Sequence, residues 1–335
     1  MTIKVVKPGM LSQLQDRGRY GYQQYGVIVS GAMDSLAHQA ASLLVGNDGE
    51  ATLEMTMLGP TLHFEEEALI AICGGDLQAR IGDEPLPMWR PIVVPEDSTL
   101  VFGTAQVGCR AYLAVAGGFD VPQVMGSYAT YARAGIGGYD GRALRAGDRL
   151  ACKPPSAVGA RMLERLRATA DGAAPFTAAR WSLSREMIPA YVEHPVIRIT
   201  AGPQLSLLGE ESQRALLTET YRISPQSDRM GYRLEGVPLR LTAPLEMLSE
   251  PVAFGTVQVP PDGQPIVLMA DRQTTGGYPK AAQVVSADLP LLAQARAGSE
   301  ISFRMVDLQE AQESLLLMEL SLGAARQRIR MFVED

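Results

Sequence analysis

The sequence predicts a mainly β protein with peripheral helices, arranged as two successive domains. Between residues 51 and 116, short apolar runs alternate with glycine or proline pairs such as Gly59-Pro60 and Gly74-Gly75. This rhythm is typical of a β-barrel or sandwich and unlike alternating βαβ units. The composition then changes, because the stretch that starts with Pro154-Pro155 has little apolar periodicity. We therefore place an N-terminal domain at residues 1–152, a connector at 153–194 and a C-terminal domain at 195–335.

The first half contains one clear helical pattern among its strands. Asp34 is an N-cap candidate, apolar residues recur at helical spacing after it, and Gly46-Asn47 supplies a stop. The expected strands are 3–6, 51–57, 61–65, 68–73, 91–94, 99–102 and 111–116.

The second half mixes strands and helices and ends in a long helix. Helices are predicted near 161–168 in the connector, at 210–218 and from 286, and Asp307 followed by Glu310 predicts the start of the last one. The expected strands are 196–200, 239–242, 255–259, 266–270 and 300–303.

Composition and charge exclude several classes of function. The chain has 30 basic and 37 acidic residues, a formal net charge of −7, and no long basic run, which argues against binding to nucleic acid or a membrane surface. Its three cysteines form no C-x-x-C and are expected to be reduced thiols. We find neither a signal-peptide core nor an apolar run of membrane-spanning length. These features favour a cytoplasmic protein.

The usual nucleotide and metal motifs do not occur in the sequence. The glycine-rich stretch 135–141 has Asp140 at the third glycine position of G-x-G-x-x-G, and no apolar strand precedes it. Three widely separated histidines make a histidine-rich metal site improbable. A carboxylate-bound Mg²⁺ accompanying a nucleotide stays open, because such an ion needs few protein ligands.

Residues 264–280 form the most suggestive polar stretch of the chain. An apolar run over 266–270 predicts a buried strand, and Asp271-Arg272 stands at its mouth. The following residues supply an amide, two hydroxyls, two glycines that permit positive φ angles, and a cation: Gln273, Thr274, Thr275, Gly276, Gly277 and Lys280. Such a stretch can hold a small polar or anionic molecule, and an ordinary turn between strands is the alternative.

Two similar loops hint at a duplicated architecture. Gln15-Asp16-Arg17 and a following Gly21-Tyr22 are echoed by Gln226, Asp228-Arg229 and Gly231-Tyr232. The pairs Asp228–Arg229 and Asp271–Arg272 could each be a salt bridge that pins a loop. They could instead direct one side chain each to a ligand, since neighbours on a strand point to opposite faces.

Several of these residues together resemble one protein family. The segments 110–118, 226–233 and 271–279, with Gly126-Ser127, are similar to the 5-oxoprolinase C-subunit family, also called allophanate hydrolase subunit 2 or the C-terminal type of biotin-dependent carboxyltransferase. The resemblance runs from about residue 3 to about residue 310. Ala129-Thr130 departs from the family's usual Ser-Thr, and the connector is longer than usual.

The resemblance implies two cyclophilin-like β-barrels and a complex with separate A and B subunits. That complex opens 5-oxo-L-proline to L-glutamate while hydrolysing ATP, with or without Mg²⁺. For such chemistry we expect Asp271, Asp228 and Arg229 as catalytic residues. Substrate or nucleotide would bind to Arg17, Gln258, Arg272, Gln273, Thr274, Thr275, Gly276, Gly277 and Lys280.

Two other functions stay open under the same resemblance. One is the carboxyltransferase component of a biotin-dependent, urea-carboxylase-like system. No Met-Lys pair is present for biotin attachment, so biotin would arrive on another protein. The other is a regulatory subunit that binds a kinase inhibitor, which would make no use of the polar stretch. We rank the 5-oxoprolinase component first, because an ATP-coupled lactam hydrolase needs cations and carboxylates of this kind.

Overall fold

The computed structural model of the chain describes residues 1–170, 172, 174–243 and 245–334. It is mainly β with peripheral helices, as predicted, and divides into two compact units. The first unit comprises residues 1–18, 34–189 and 320–335, and the second comprises 19–33 and 190–319. This division differs from the expected boundaries at 152 and 194, because the connector up to Pro189 belongs to the first unit and residues 19–33 belong to the second. Within the described part of the chain, no helix combines the length and the hydropathy that a membrane span requires.

The first unit consists of two six-stranded sheets, two complete helices and, from residue 320 onwards, the last part of the final helix of the chain. The strands are β1 Thr2–Lys7, β2 Leu11–Gln15, β3 Thr52–Thr56, β4 Thr61–Phe64, β5 Ala68–Asp76, β6 Arg80–Ile81, β7 Glu84–Pro85, β8 Pro91–Val94, β9 Ser98–Val101, β10 Val107–Val115, β11 Arg149–Ala151 and β12 Thr177–Ala178. One sheet has the order β11-β1-β4-β9-β6-β7 and the other β12-β8-β5-β10-β3-β2. The helices are α1 Ser35–Leu44 and α2 Ala157–Arg167.

Local sequence signals explain both helices of this unit. The carboxylate of Asp34 accepts a hydrogen bond from the Ala37 amide at 2.9 Å and caps α1, as predicted. Ser156 caps α2 in the same way through the Gly159 amide at 3.1 Å. The core between the elements is built from inward-facing aliphatic residues of the strands, such as Leu53, Ile70 and Leu113, which are fully or almost fully buried.

The second unit is a closed seven-stranded barrel with flanking helices. Its strands are β13 Val196–Ala201, β14 Tyr221–Ile223, β15 Gly231–Glu235, β17 Thr256–Gln258, β18 Ile266–Leu268, β20 Lys280–Val284 and β21 Glu300–Met305. The strand order is β13-β20-β17-β18-β15-β14-β21, and the parallel pairing of β13 with β21 closes the barrel. A separate ribbon pairs β16 Glu250–Pro251 with β19 Thr275–Gly276, and the helices are α3 Glu210–Thr218, α4 Leu289–Gln294 and α5 Leu308–Glu334.

Most of the predicted elements are present, with one clear exception. The long final helix begins after Asp307, whose carboxylate accepts from the Glu310 amide at 2.8 Å, as the capping pattern predicts. The strand expected at 239–242 is wrong: only Leu241 forms an isolated bridge, with Leu208. The apolar residue Leu239 is buried against the barrel from a loop, which gives the same sequence pattern as a strand.

Candidate functional site

The polar stretch after β18 is anchored to a neighbouring loop of the second unit. The strand ends at Leu268, two residues earlier than expected, and the chain turns at Asp271. The Met269 amide donates to the Met230 carbonyl at 2.9 Å, and the Asp271 amide donates to the Arg229 carbonyl at 2.7 Å. These backbone bonds set Asp271 beside Arg229, although 42 residues separate them in the chain.

Asp271 and Arg229 form a largely buried, two-point ion pair. Arg229 Nε lies 2.9 Å from Asp271 Oδ2, and Nη2 lies 3.0 Å from Oδ1. Ser30 Oγ donates to the same Oδ1 at 2.7 Å, and Arg229 Nη2 donates to the Gly31 carbonyl at 2.6 Å. The two side chains are 8% (Arg229) and 14% (Asp271) exposed. Charged pairs with this forked geometry are among the stronger hydrogen-bonded contacts in proteins, so these groups hold two loops in one arrangement.

The ion pair joins residues from two different loops and not two residues that are adjacent in the sequence. The carboxylate of Asp271 pairs with Arg229 and not with the adjacent Arg272. The carboxylate of Asp228 accepts from the amides of Met230 and Gly231, at 2.8 and 3.3 Å, and closes a turn. Of the two alternatives for the pair Asp271–Arg272, the salt bridge between these neighbours is wrong, because adjacent side chains diverge whereas the loops bring distant ones together.

Arg272 is a half-buried cation without a carboxylate partner among the described residues. Its Nη1 donates to the Met269 carbonyl at a long 3.4 Å, and its Cζ lies 5.8 Å from the centre of the Phe254 ring. Its Nε is buried and has no hydrogen-bond partner in the described part of the chain. Burial lowers the pKa of Arg272, while Tyr20 and Asp271 act in the opposite direction. An arginine stays charged at neutral pH, so this group has donor capacity to spare for an anion.

The neighbouring polar residues of the stretch differ in accessibility. Gln273 and Thr275 are exposed and Thr274 is half-buried. Their amide and hydroxyl groups follow Arg272 directly in the chain. The stretch as a whole therefore offers one cation and several neutral hydrogen-bonding groups, which suits a small anion with additional polar atoms.

Gly276 is required by packing and not by a left-handed backbone. Neither Gly276 nor Gly277 has a φ in the left-handed region, so the predicted need for positive φ is wrong. A Cβ on Gly276 would lie 2.5 Å from Nε2 of Gln258, whose side chain is buried and donates to the Tyr278 carbonyl at 3.3 Å. A Cβ on Gly277 would meet nothing closer than 3.6 Å. Gln258 thus packs under the ribbon, with its amide engaged by the Tyr278 carbonyl.

Lys280 is also engaged within the protein. Its Nζ lies 2.5 Å from Oε2 of Glu250, and its side chain is only 16% exposed. Lys280, which we expected to bind substrate or nucleotide, thus already has a carboxylate partner. Gly276 pairs with Glu250 in the β16–β19 ribbon, so its backbone takes part in strand pairing and not in an anion-binding nest of amide groups. These residues do not fit the phosphates of a nucleotide, and among the described residues no group of three or more His, Cys, Asp or Glu is placed to hold a metal ion.

A cavity of about 770 Å³ borders the end of the stretch. Gly277, Tyr278 and Pro279 form one side of it, and residues 239–243 and 245–247 with Pro260-Pro261 form much of the remainder. Its size lies in the range of small-molecule pockets. Of the site residues expected from the sequence, Gly277 alone lines this cavity, and Asp271, Arg272 and Lys280 do not.

Arg17 lies in a different unit from the other predicted site residues. It is exposed in the first unit and borders a narrow cleft with His38 and Asp48. The preceding Asp16 accepts from the Gly18 amide at 2.8 Å, just as Asp228 accepts from the amide two residues after it. The echo between the two loops thus has a local cause, because both aspartates close a turn on their own backbone.

Three contributors to the site escaped the sequence analysis: Ser30, Glu250 and Phe254. Each acts through a contact with a residue at least 18 positions away, so no local pattern reveals it. Ser30 has a left-handed φ of 55°, which aims its hydroxyl at Asp271. The only sequence signal there is the Ser30-Gly31 pair, which predicts a turn.

Comparison with known proteins agrees with this architecture. The family "carboxyltransferase domain, subdomain A and B" matches residues 25–305. The chain is 39% identical to the 5-oxoprolinase C subunit of Escherichia coli over 92% of this chain and 93% of that protein. It is 38% identical to the 5-oxoprolinase C subunit of Haemophilus influenzae over 93% and 94% of the two chains. The crystal structure of the K. lactis urea amidolyase superposes with a TM-score of 0.86 at 27% identity, over 97% of this chain and 20% of that one.

The fold and these matches define a carboxyltransferase-type domain pair. Within that class, the chain belongs to the 5-oxoprolinase C-subunit family, because both relatives match over more than nine-tenths of their length. The chain spans a fifth of the urea amidolyase, a much longer protein with the same fold in one part.

Proposed function

We propose that this chain is the C subunit of an ATP-dependent 5-oxoprolinase, which opens 5-oxo-L-proline to L-glutamate only in complex with A and B subunits. The match to two 5-oxoprolinase C subunits, at 38–39% identity over more than nine-tenths of each chain, carries the proposal. The complex would work in the cytoplasm, where the three buried cysteines, all free, stay reduced.

The chemistry of 5-oxoproline matches the polar groups around Arg272. The molecule carries one carboxylate, one lactam N–H and one lactam oxygen. Arg272 is half-buried and lacks a carboxylate partner among the described residues, so it is our candidate for the substrate carboxylate. Gln273, Thr274 and Thr275 follow it and would bind the lactam atoms.

The ion pair of Asp271 and Arg229 has a supporting role in this proposal. Its carboxylate oxygens already accept from Arg229 and Ser30, so it fixes the turn that presents Arg272. Asp228 contributes in the same way by closing the turn before β15. We assign to other parts of the complex the groups that activate the lactam with ATP, since Gly276, Gly277 and Lys280 do not fit phosphates.

A carboxyltransferase function is the second candidate, favoured by the TM-score of 0.86 to the K. lactis urea amidolyase. In that case biotin would arrive on another protein, and the acceptor would be a small amide. Adding avidin separates the two candidates, because it blocks a biotin-dependent reaction and leaves a lactamase unaffected.

The decisive experiment measures ATP-dependent release of glutamate from 5-oxoproline by this chain co-expressed with A and B homologues. Removal of a charged hydrogen-bond donor typically costs about 1.5–3 kcal/mol. We therefore expect Arg272→Gln to raise KM for 5-oxoproline by roughly 10- to 100-fold. Arg304→Gln is the matched control, because Arg304 is exposed and pairs only with Glu310 among the described residues.

Two results would count against this proposal. A reconstituted complex without ATP-dependent glutamate release would contradict the function. An unchanged KM in the Arg272→Gln complex would contradict the assignment of Arg272 to the substrate carboxylate.

A further inference from the structure

The final helix has an exposed apolar face that the proposed chemistry does not use. α5 runs without a break from Leu308 to Glu334, and its buried residues are Leu322, Ala325, Ile329 and Val333. Leu316, Leu317 and Leu320 are nevertheless 58%, 64% and 59% exposed. Burial of a leucine side chain is favourable by roughly 1.5–3 kcal/mol. Three exposed leucines side by side on one helix therefore indicate a contact surface.

Two of these leucines belong to a strip with the residue spacing of a coiled coil. Alternating steps of four and three residues along α5 connect Glu313, Leu317, Leu320, Ala324, Gln327 and Met331. All of these residues are exposed, and this spacing keeps them on one side of the helix. We call them the α5 strip. At a rise of about 1.5 Å per residue the strip is about 27 Å long, which is enough to pair with a second helix.

The α5 strip is complementary to itself when a second copy runs in the opposite direction. With a two-fold axis at position 322, the facing pairs are Glu313 with Met331, Leu317 with Gln327, and Leu320 with Ala324. Large side chains before the axis thus meet small residues after it, since Gly323 stands beside Ala324. Each contact occurs twice in such a pair, as a two-fold interface requires.

The charges of α5 favour the same antiparallel arrangement. Its first half contains three acidic residues and no basic one, whereas its second half contains three arginines and one acidic residue. Glu310 and Arg326 already have ion-pair partners within the chain. Glu313 and Arg330 are exposed and form no ion pair in the described part of the chain. The two-fold axis at position 322 places Glu313 of one copy next to Arg330 of the other. A parallel pair would instead bring like charges together.

We propose that the α5 strip docks on the α5 strip of a second copy of this chain, as an antiparallel helix pair. Leu317 and Leu320 of each copy pack beside Gly323 and Ala324 of the other, and a Glu313–Arg330 ion pair forms at either end. Exposed ion pairs set the direction of the helices more than they add affinity. The proposal uses no residue of the candidate site, so it does not depend on the proposed function.

The first test is sedimentation equilibrium of the purified chain alone, which measures the Kd of the dimer without any turnover. Leu320→Arg places two cations beside the two-fold axis, and we expect it to raise Kd by about 30-fold or more. Leu308→Arg is the matched control, because Leu308 lies on the same helix outside the strip, and Kd should stay within about twofold. The two leucines are 59% and 64% exposed, so the unfolding midpoints of both variants should match the wild type.

Reversal of charge tests the antiparallel arrangement itself. Glu313→Arg and Arg330→Glu should each raise Kd by about 10-fold, because each change brings two pairs of like charges together. An equimolar mixture of the two variants should form a heterodimer with a Kd within about threefold of the wild type, since opposite charges then face each other again. A defect in folding would not be repaired by mixing.

Three outcomes would overturn the proposal. A chain that is still a monomer at about 100 μM has no such dimer, and loss of binding to a B-subunit homologue in Leu320→Arg would then make that subunit the occupant. A dimer that Leu320→Arg does not weaken would have its interface elsewhere. A mixture of the charge variants that does not recover the Kd would exclude the antiparallel arrangement. The proposed function fails separately, through absent glutamate release, which none of these measurements uses.

Discussion

The ion pair between Asp271 and Arg229 gives the most decisive single substitution. Asp271→Asn keeps the shape of the side chain and removes its charge, so the Arg229 guanidinium loses its ionic partner at this position. The Arg229 side chain is only 8% exposed, so water compensates little for that loss. Removing one partner of a buried pair typically costs about 3–5 kcal/mol. Because Asp271 is 14% exposed and water can reach it, we expect the low end, about 3 kcal/mol.

The assay is urea unfolding of the purified chain, followed by circular dichroism. Arg229→Gln and the double variant complete a thermodynamic cycle, and we expect a coupling free energy of about 1–3 kcal/mol. Turnover of the Asp271→Asn complex is measured below its unfolding midpoint. A loss of stability below about 0.5 kcal/mol together with abolished turnover would refute our reasoning, and would make Asp271 a catalytic residue instead of a supporting one.

Two further predictions test the packing and the pH response. Gly276→Ala should destabilise the protein by about 1–3 kcal/mol, because the new Cβ would lie 2.5 Å from the buried Gln258 amide. The neighbouring substitution Gly277→Ala is the control and should change stability by less than about 0.5 kcal/mol. Equal midpoints of the two variants in thermal unfolding would contradict this packing argument. Burial lowers the pKa of His38 to about 4, against 6.5 in the unfolded chain. Between pH 4 and pH 6.5 the unfolded state therefore binds more protons than the folded state. The free energy of unfolding should fall by about 3 kcal/mol as pH drops from 6.5 to 4. His38→Gln should flatten that part of the stability–pH curve, and a curve of unchanged slope would show that another group is responsible.

Turns and helix starts were predictable because their causes are local. Asp34 and Asp307 each accept a bond from an amide three residues on, which the sequence displays directly. The same holds for the strands with glycine or proline at their ends, such as 91–94, whose observed bounds are those expected. Leu239 shows the limit of this approach, since an apolar run reads alike in a strand and in a loop packed on the core.

The sequence by itself determined the β class, the helix starts and the family, since these depend on neighbouring residues and on a long ordered match. Only the tertiary structure decided which charges meet. Asp271 binds Arg229 and Ser30, and Lys280 binds Glu250. The two residues of each contact lie at least 30 positions apart in the chain. Which residues pair over such distances depends on how the barrel strands are ordered, and neighbouring side chains on an extended backbone point apart. Arg272 is therefore left without a carboxylate partner among the described residues, a property that no local pattern in the sequence could show.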